Sequence, residues 1–369
     1  MGVSLRAAAL KPPSVRSRRW LGEESLSLGV APPFRRFEQP QRYREGVTER
    51  GPDEAERATD AAFRSTPAGV LAPPPPGWQA HAAELDAAIP DFDWRSLPVG
   101  AERRWFDAPS GRLAGLAMGP ADGPRVLLVP GATGSKEDFV LMLPLLADAG
   151  YRVEAFDLAG QYESAGAGPW RLDPPAARYE RTLFLNDLLA VLAAGSGPAH
   201  VLGYSFAGTI AQEALTLAPE RFASLALLSS PPEPGQAFRG VKRIGAISGF
   251  TTPRQGAALM LWGIRSNLNR VPPGRLAFVR ERFRLTRRDS VDDLIACMMA
   301  TPDLRREVAA SAVPKLVAVG AHDLWPLELH ERSARELGAR YAVYRTGHSP
   351  CETTPHQLVR DLLELYATA

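Results

Sequence analysis

The stretch Val201-Leu202-Gly203-Tyr204-Ser205-Phe206-Ala207-Gly208 sets a serine among small residues, after an apolar β-favouring run (200–204) and before apolar residues at helical spacing (209–217). A hydroxyl at the apex of a strand-to-helix turn is presented for nucleophilic attack. Such a turn tolerates little bulk two positions either side, here Gly203 and Ala207. Small-x-Ser-x-small also arises by chance in an Ala/Gly-rich chain, so the serine needs partners. Asp323, in Gly320-Ala321-His322-Asp323-Leu324-Trp325-Pro326, has the chemistry to orient a histidine and stabilise its imidazolium, although alone it also reads as a helix cap. His348, in Thr346-Gly347-His348-Ser349-Pro350, has the chemistry of a general base toward the serine and a general acid toward a leaving group. Each is only suggestive alone. Ser205, Asp323 and His348 in that chain order, each in a loop after a strand-like run, form a combination that chance seldom produces.

The elements that must position these residues follow from hydrophobic period. Apolar runs of strand length occur at 102–106, 113–118, 125–129, 152–156, 199–204, 224–229, 315–319 and 341–344, the first two joined by the turn 108–111. Helical patterns fall at 78–89, 136–149, 179–194, 206–217 and 330–337. Continuous Val/Leu/Ala strands are covered on both faces, and their alternation with helices calls for right-handed parallel crossovers, hence an α/β doubly wound sheet. A dinucleotide site is a poor alternative, because Gly131-Ala132-Thr133-Gly134 lacks the G-x-G-x-x-G spacing. In such sheets ligands collect at the carboxyl ends of the strands, where the three loops above lie.

At these residues the chain resembles the α/β-hydrolase superfamily, from Val99 to the C-terminus. The resemblance rests on the elbow 203–208, the loop 320–326, the turn Gly347-His348, and Asp157-Leu158-Ala159-Gly160-Gln161, where many members have a D-x-x-G-x-G-like loop. It implies a mostly parallel eight-stranded sheet with helices on both faces, a Ser-Asp-His triad, and a helical cap inserted between late core strands. Two departures stand out: Pro130-Gly131 replaces the common His-Gly, and Gly160-Gln161-Tyr162 replaces a common Gly-His-Gly. Acyl chemistry needs two N–H donors for the oxyanion, assigned to the backbone of Ala132 and of Phe206. The serine disfavours aspartate-nucleophile chemistries on this fold and favours a carboxylic ester or related acyl substrate. Acyltransferase, thioesterase and perhydrolase activities, or an inactive binding protein, stay open.

The cap is expected at about 232–311, too long for an ordinary connection between strands. Its apolar residues recur at helical spacing; Trp262 and Met298, with Tyr204 of the elbow, are the candidate substrate contacts. The same region is rich in arginine, with Arg275, Arg280, Arg282, Arg284, Arg287 and Arg288 in one run. This is either a solvated face or the recruiter of an anionic substrate or acidic carrier. His322 is expected to point away from the site; His81, His200, His330 and His356 read as surface residues, and Glu233, after another late strand, is a minor alternative to Asp323 as the acid.

Hydrophobic content of 45% and a net charge of +2 fit a globular protein with no general attraction to nucleic acid or membrane, and no 18-residue apolar run spans a bilayer. The two cysteines, Cys297 and Cys351, suggest neither a disulfide framework nor a metal site, so no cofactor or metal is expected and a cytoplasmic location is the default. Residues 1–76 are rich in Arg and Pro without sustained periodicity and are expected to be a disordered extension, with the folded domain over 77–369.

Overall fold

The alternating apolar and amphipathic stretches build one eight-stranded sheet in the computed structural model, which describes residues 77–238, 241 and 271–369. The expected extension 1–76, and Trp262, lie outside the described residues. The strands are β1 (Glu102–Ala108), β2 (Gly111–Met118), β3 (Arg125–Val129), β4 (Arg152–Phe156), β5 (Ala199–Tyr204), β6 (Phe222–Leu228), β7 (Lys315–Gly320) and β8 (Arg340–Tyr344), in the order β1-β2-β4-β3-β5-β6-β7-β8. Pairs β1/β2 and β2/β4 are antiparallel and the rest parallel. Among the described residues the α-helices are α1 (Ala82–Ala87), α2 (Met142–Asp148), α3 (Arg181–Ala193), α4 (Phe206–Leu217), α5 (Pro273–Leu285), α6 (Arg288–Met298), α7 (Arg305–Ala310), α8 (Leu327–Leu337), α9 (Pro350–Thr353) and α10 (Pro355–Tyr366).

Successive strand residues face opposite layers, so the central strands feed two apolar clusters. Leu127, Val201, Leu227 and Val317 pack with α3, α4, α6 and α8; Leu128, Leu202, Leu228 and Leu316 pack with α1, α2 and α10 on the other face. Burial on both sides explains why these strands read as unbroken apolar runs rather than alternating ones.

The stretch expected as one helix over 136–149 is instead a 3-10 turn, Lys136–Phe139, followed by α2. Pro144 is the reason. Its ring would collide with the carbonyl four residues back, so it is accommodated only in the first turn of a helix that starts at Met142. Between β6 and β7 the chain carries α5, α6 and α7, and the bridge Gly235 to Thr301 closes the base of this excursion with two hydrogen bonds of 2.7 and 2.8 Å. No helix among the described residues is long and apolar enough to cross a membrane.

Candidate active site

β5 is buried along its whole length and stops at Tyr204, after which Ser205 takes φ 52° and ψ −119°. A non-glycine residue there stores about 1–3 kcal/mol of strain and persists only where its surroundings fix it. The Ser205 amide donates to Leu228 O at 2.8 Å, and the Gly208 amide to Ser205 O at 3.0 Å. Gly203 supplies the space: a Cβ there would lie 2.7 Å from the Gly208 Cα.

The loops after β7 and β8 are stitched together, Ala321 N–H donating to Tyr344 O (2.7 Å) and His322 N–H to Thr346 O (2.9 Å). Their approach requires Gly320, because a Cβ would fall 1.8 Å from Gly347 O. The result turns Asp323 inward and leaves His322 exposed, as its sequence position suggested. His348 Nδ1 lies 2.5 Å from Asp323 Oδ1, and His348 Nε2 lies 3.2 Å from Ser205 Oγ. An ionised carboxylate only accepts, so Nδ1 carries the hydrogen and Nε2 is free to accept from the serine hydroxyl. Burial alone would raise the Asp323 carboxyl, but hydrogen bonds from His330 and His348 overcome it and hold the group at about 2. It stays ionised at neutral pH.

His330 corrects the surface reading. It is buried on the inner face of α8, with Nε2 2.8 Å from Asp323 Oδ2. His200 and His356 are corrected too: His200 is stacked on Tyr366 at 4.0 Å within β5, and His356 is half-buried with Nδ1 2.8 Å from Asp86. The ring of a histidine packs like an aromatic when a partner takes its nitrogen, and nothing local in sequence announces the partner. His81 is exposed, as read. Glu233 accepts from Arg332 on α8 at 2.5 Å.

The loop after β3 brings Gly131 against the elbow; a Cβ on it would meet Ser205 Cβ at 2.9 Å. It closes as a tight turn, Gly134 N–H to Gly131 O at 3.0 Å, with Thr133 at φ 60°. Among the described residues no acceptor takes the amides of Ala132 or Phe206, and Phe206 is the first residue of α4, where amides are left over. Behind this loop, Lys136 is fully buried, its Nζ 2.6 Å from Glu163 and 3.1 Å from Asp157, which ties the β3 loop to the β4 loop. Asp138 accepts from Ser135 N–H (3.1 Å) and, through Oδ1, from Arg275 (2.6 Å) and Arg282 (2.7 Å) of α5. Sequence reading missed Lys136 and Asp138, and grouped Arg275 and Arg282 with surface charge. Arg287 and Arg288 pair with Asp289 and Asp292, while Arg280 and Arg284 are exposed.

Of the candidate substrate contacts, Tyr204 is buried with its ring 5.4 Å from that of His348 and its hydroxyl 2.7 Å from Ser349 Oγ. Met298 is buried in the cluster that includes Phe206 and Leu158. Cys351 is buried beside the His348 loop, and burial pushes its thiol well up, so it packs as an apolar group. No group of three or more His, Cys, Asp or Glu able to hold a metal occurs among the described residues.

The chain is similar to a pimeloyl acyl-carrier-protein methyl ester esterase of Methylococcus capsulatus, 32% identical over 178 residues that cover 42% of this chain and 65% of that protein. The matches span less than two thirds of the length of the curated relatives. Among solved structures it is similar to a hydrolase from Pseudomonas aeruginosa (25% identity, TM-score 0.57, 73% of this chain and 99% of that one). It also resembles a carboxylesterase from Bacillus subtilis in fold (19% identity, TM-score 0.58, 79% and 98%). The family model described as the alpha/beta hydrolase family matches residues 126–362, well over half of the sequence and the span of the strands β3 to β8. The chain therefore belongs to the α/β hydrolase family.

Proposed function

We propose that this protein is a serine hydrolase of the carboxylic ester class, working through an acyl-enzyme on a small or medium apolar acyl group. The observation that carries the reading is the line Ser205 Oγ, His348 Nε2, His348 Nδ1, Asp323 Oδ1, with contacts of 3.2 and 2.5 Å at its two joints. Ser205 Oγ attacks the ester carbonyl as its proton passes to His348 Nε2, and the oxyanion is taken by the amides of Ala132 and Phe206. Collapse expels the alkoxide, which leaves as an alcohol with the proton from His348. Water then attacks the acyl-serine, again giving its proton to His348, and the second collapse returns that proton to Ser205 Oγ and releases the acid. Asp323 remains a carboxylate throughout, holding the tautomer and stabilising the imidazolium. His348 carries each proton, so the sequence calls for no cofactor.

The test is Ser205→Ala. Turnover of p-nitrophenyl esters and labelling by a fluorophosphonate probe are both expected to vanish, with the fold retained by circular dichroism. Labelling that persists at another residue removes Ser205 as the nucleophile. Running esters of increasing chain length against thioesters and amides ranks the acyl group and separates esterase from thioesterase action.

A further inference from the structure

We propose that His330 is a positioning residue for the Asp323–His348 pair, a second imidazole that holds the far oxygen of the carboxylate and so fixes which oxygen faces the general base. This rests on the triad reading above. Asp323 lies between two histidines: His348 Nδ1 is 2.5 Å from Oδ1, and His330 Nε2 is 2.8 Å from Oδ2. The two oxygens differ in support. Oδ1 also accepts the Leu324 amide at 2.8 Å, whereas among the described residues Oδ2 has His330 alone. The His330 contact runs off the ideal N–H direction, yet neither Nε2 nor Oδ2 has another partner among the described residues, and both side chains are almost wholly buried. A buried acceptor-only oxygen requires a donor, so Nε2 carries the hydrogen.

The placement is built by the fold rather than by an exposed side chain in transit. His330, Ala334 and Leu337 form the buried stripe of α8, at the i, i+4, i+7 spacing of one helix face. Trp325 contacts both imidazoles, edge-on to His330 (6.1 Å between centroids, 83°) and tilted against His348 (5.9 Å, 54°). Its own Nε1–H is fixed on Ala237 O at 2.8 Å. Tyr341 of β8 also senses Asp323, and its hydroxyl donates to Leu327 O at 3.2 Å. Burial, with Glu331, Glu328 and Asp323 adding to it, pushes that phenol up to about 12, so it stays neutral across the working range.

Two consequences follow for catalysis. With His330 in place the carboxylate cannot swing, and its charge is shared between both oxygens. Without it, negative charge gathers on Oδ1 and His348 holds its proton more tightly, so the acid limb of kcat/KM moves to higher pH. The released carboxylate also orients His348 less well, which lowers kcat. Neither effect reaches the substrate, so KM is unchanged.

The experiment compares the parent enzyme, His330→Phe and His330→Gln on a neutral p-nitrophenyl ester across the pH range. His330→Phe keeps a ring and removes the donor: kcat is expected to fall about 10- to 100-fold, the scale seen when a group orienting a functional side chain is removed, with KM unchanged and the acid limb moved upward. His330→Gln, which keeps an N–H donor, is expected to recover part of both. A purely structural role would lower the melting temperature without moving the limb, and an unmoved limb with parental kcat in the Phe variant overturns the proposal, as does a Gln variant no better than Phe. Should the Phe variant not fold, imidazole NMR of the unaltered protein decides: a slowly exchanging Nε2–H on His330 is expected, and an unprotonated Nε2 overturns it. Fluorophosphonate labelling away from Ser205 would defeat the triad reading while leaving this NMR result standing, so the two failures are distinguishable.

Discussion

Asp323 and Asp187 are both buried aspartates, yet they are shifted in opposite directions from the ordinary value of 3.8. Burial penalises each charge; at Asp323 the hydrogen bonds from His330 and His348 reverse the effect, leaving about 2. At Asp187 the partners are the neutral hydroxyl and amide of Ser110, at 2.6 and 3.1 Å, and burial wins, pushing the group up to about 7. The sign for stability follows. Between the ordinary value of 3.8 and about 7, the native Asp187 keeps a proton that the unfolded chain releases, so stability falls as pH rises through that window. The slope approaches about 1.4 kcal/mol per pH unit. Asp323 acts oppositely and further down, its contribution lost as pH falls from 3.8 through about 2. Denaturant unfolding of the parent and Asp187→Asn near pH 5 and near pH 7 isolates the first effect. The variant is expected to lose markedly less stability on that rise, and identical slopes would defeat the assignment. The approach of Ser205, Asp323 and His348 was legible in sequence because each follows a strand and so lands at the same end of the sheet. His330 was not, although it stands four and seven residues before Ala334 and Leu337 on what is plainly an apolar stripe. Stripe membership says a side chain is inside; it does not say that a carboxylate waits there.

At the scale of elements, the strands were readable because burial on both faces leaves uninterrupted apolar runs, whereas helix ends and the helix expected over 136–149 needed correction. The arginine run of the cap was less legible. Arg275 and Arg282 are seven residues apart, hence on one face of α5, but their partner Asp138 lies 137 and 144 residues away in sequence. Arg275 reaches Glu352 as well (2.5 Å), and Arg282 reaches Ser135 Oγ (3.2 Å), so α5 is braced against both the loop after β3 and the helix after His348. Breaking a buried pair from one side leaves a charge without compensation, at a cost of about 3–5 kcal/mol. Asp138 keeps Arg275, so Arg282→Met, which preserves most of the stem, is expected to cost about 3 kcal/mol by thermal or denaturant unfolding. It is also expected to lower kcat for a neutral ester by loosening the loop of Ala132, with little salt dependence, since buried pairs are poorly screened. Activity lost only toward anionic substrates, and rescued by low salt, would instead return these arginines to a recruiting role.

The whole domain is closed by a segment that precedes the sheet. Trp78, Trp94 and Leu97 are buried in the same cluster as Leu358, Val359 and Leu362 of α10. Asp86 accepts the backbone amides of His356 (2.8 Å) and Gln357 (3.1 Å), the second and third residues of that helix. It thus caps α10 from 270 residues away, where the local residue Thr354 makes no capping bond. Because α9 and α10 continue directly from the His348 loop, this cap holds that loop in place from the far end of the chain. Local reading found a helical pattern over 78–89; its union with α10 by one carboxylate is a tertiary fact with no sequence period. Asp86→Ala is expected to cost about 1–2 kcal/mol, a loss of roughly 2–8 °C in Tm. A chain beginning at Gly77 keeps every contact named here and is expected to melt with the full-length protein and to match it in turnover of the p-nitrophenyl esters proposed above. One beginning at Val99 loses Trp78, Trp94, Leu97 and the cap together, about 1.5–3 kcal/mol for each large apolar side chain, and is not expected to fold stably. Calorimetry on the three proteins checks the order, and a substantial drop in Tm already at the Gly77 start would place part of the fold's support in residues 1–76.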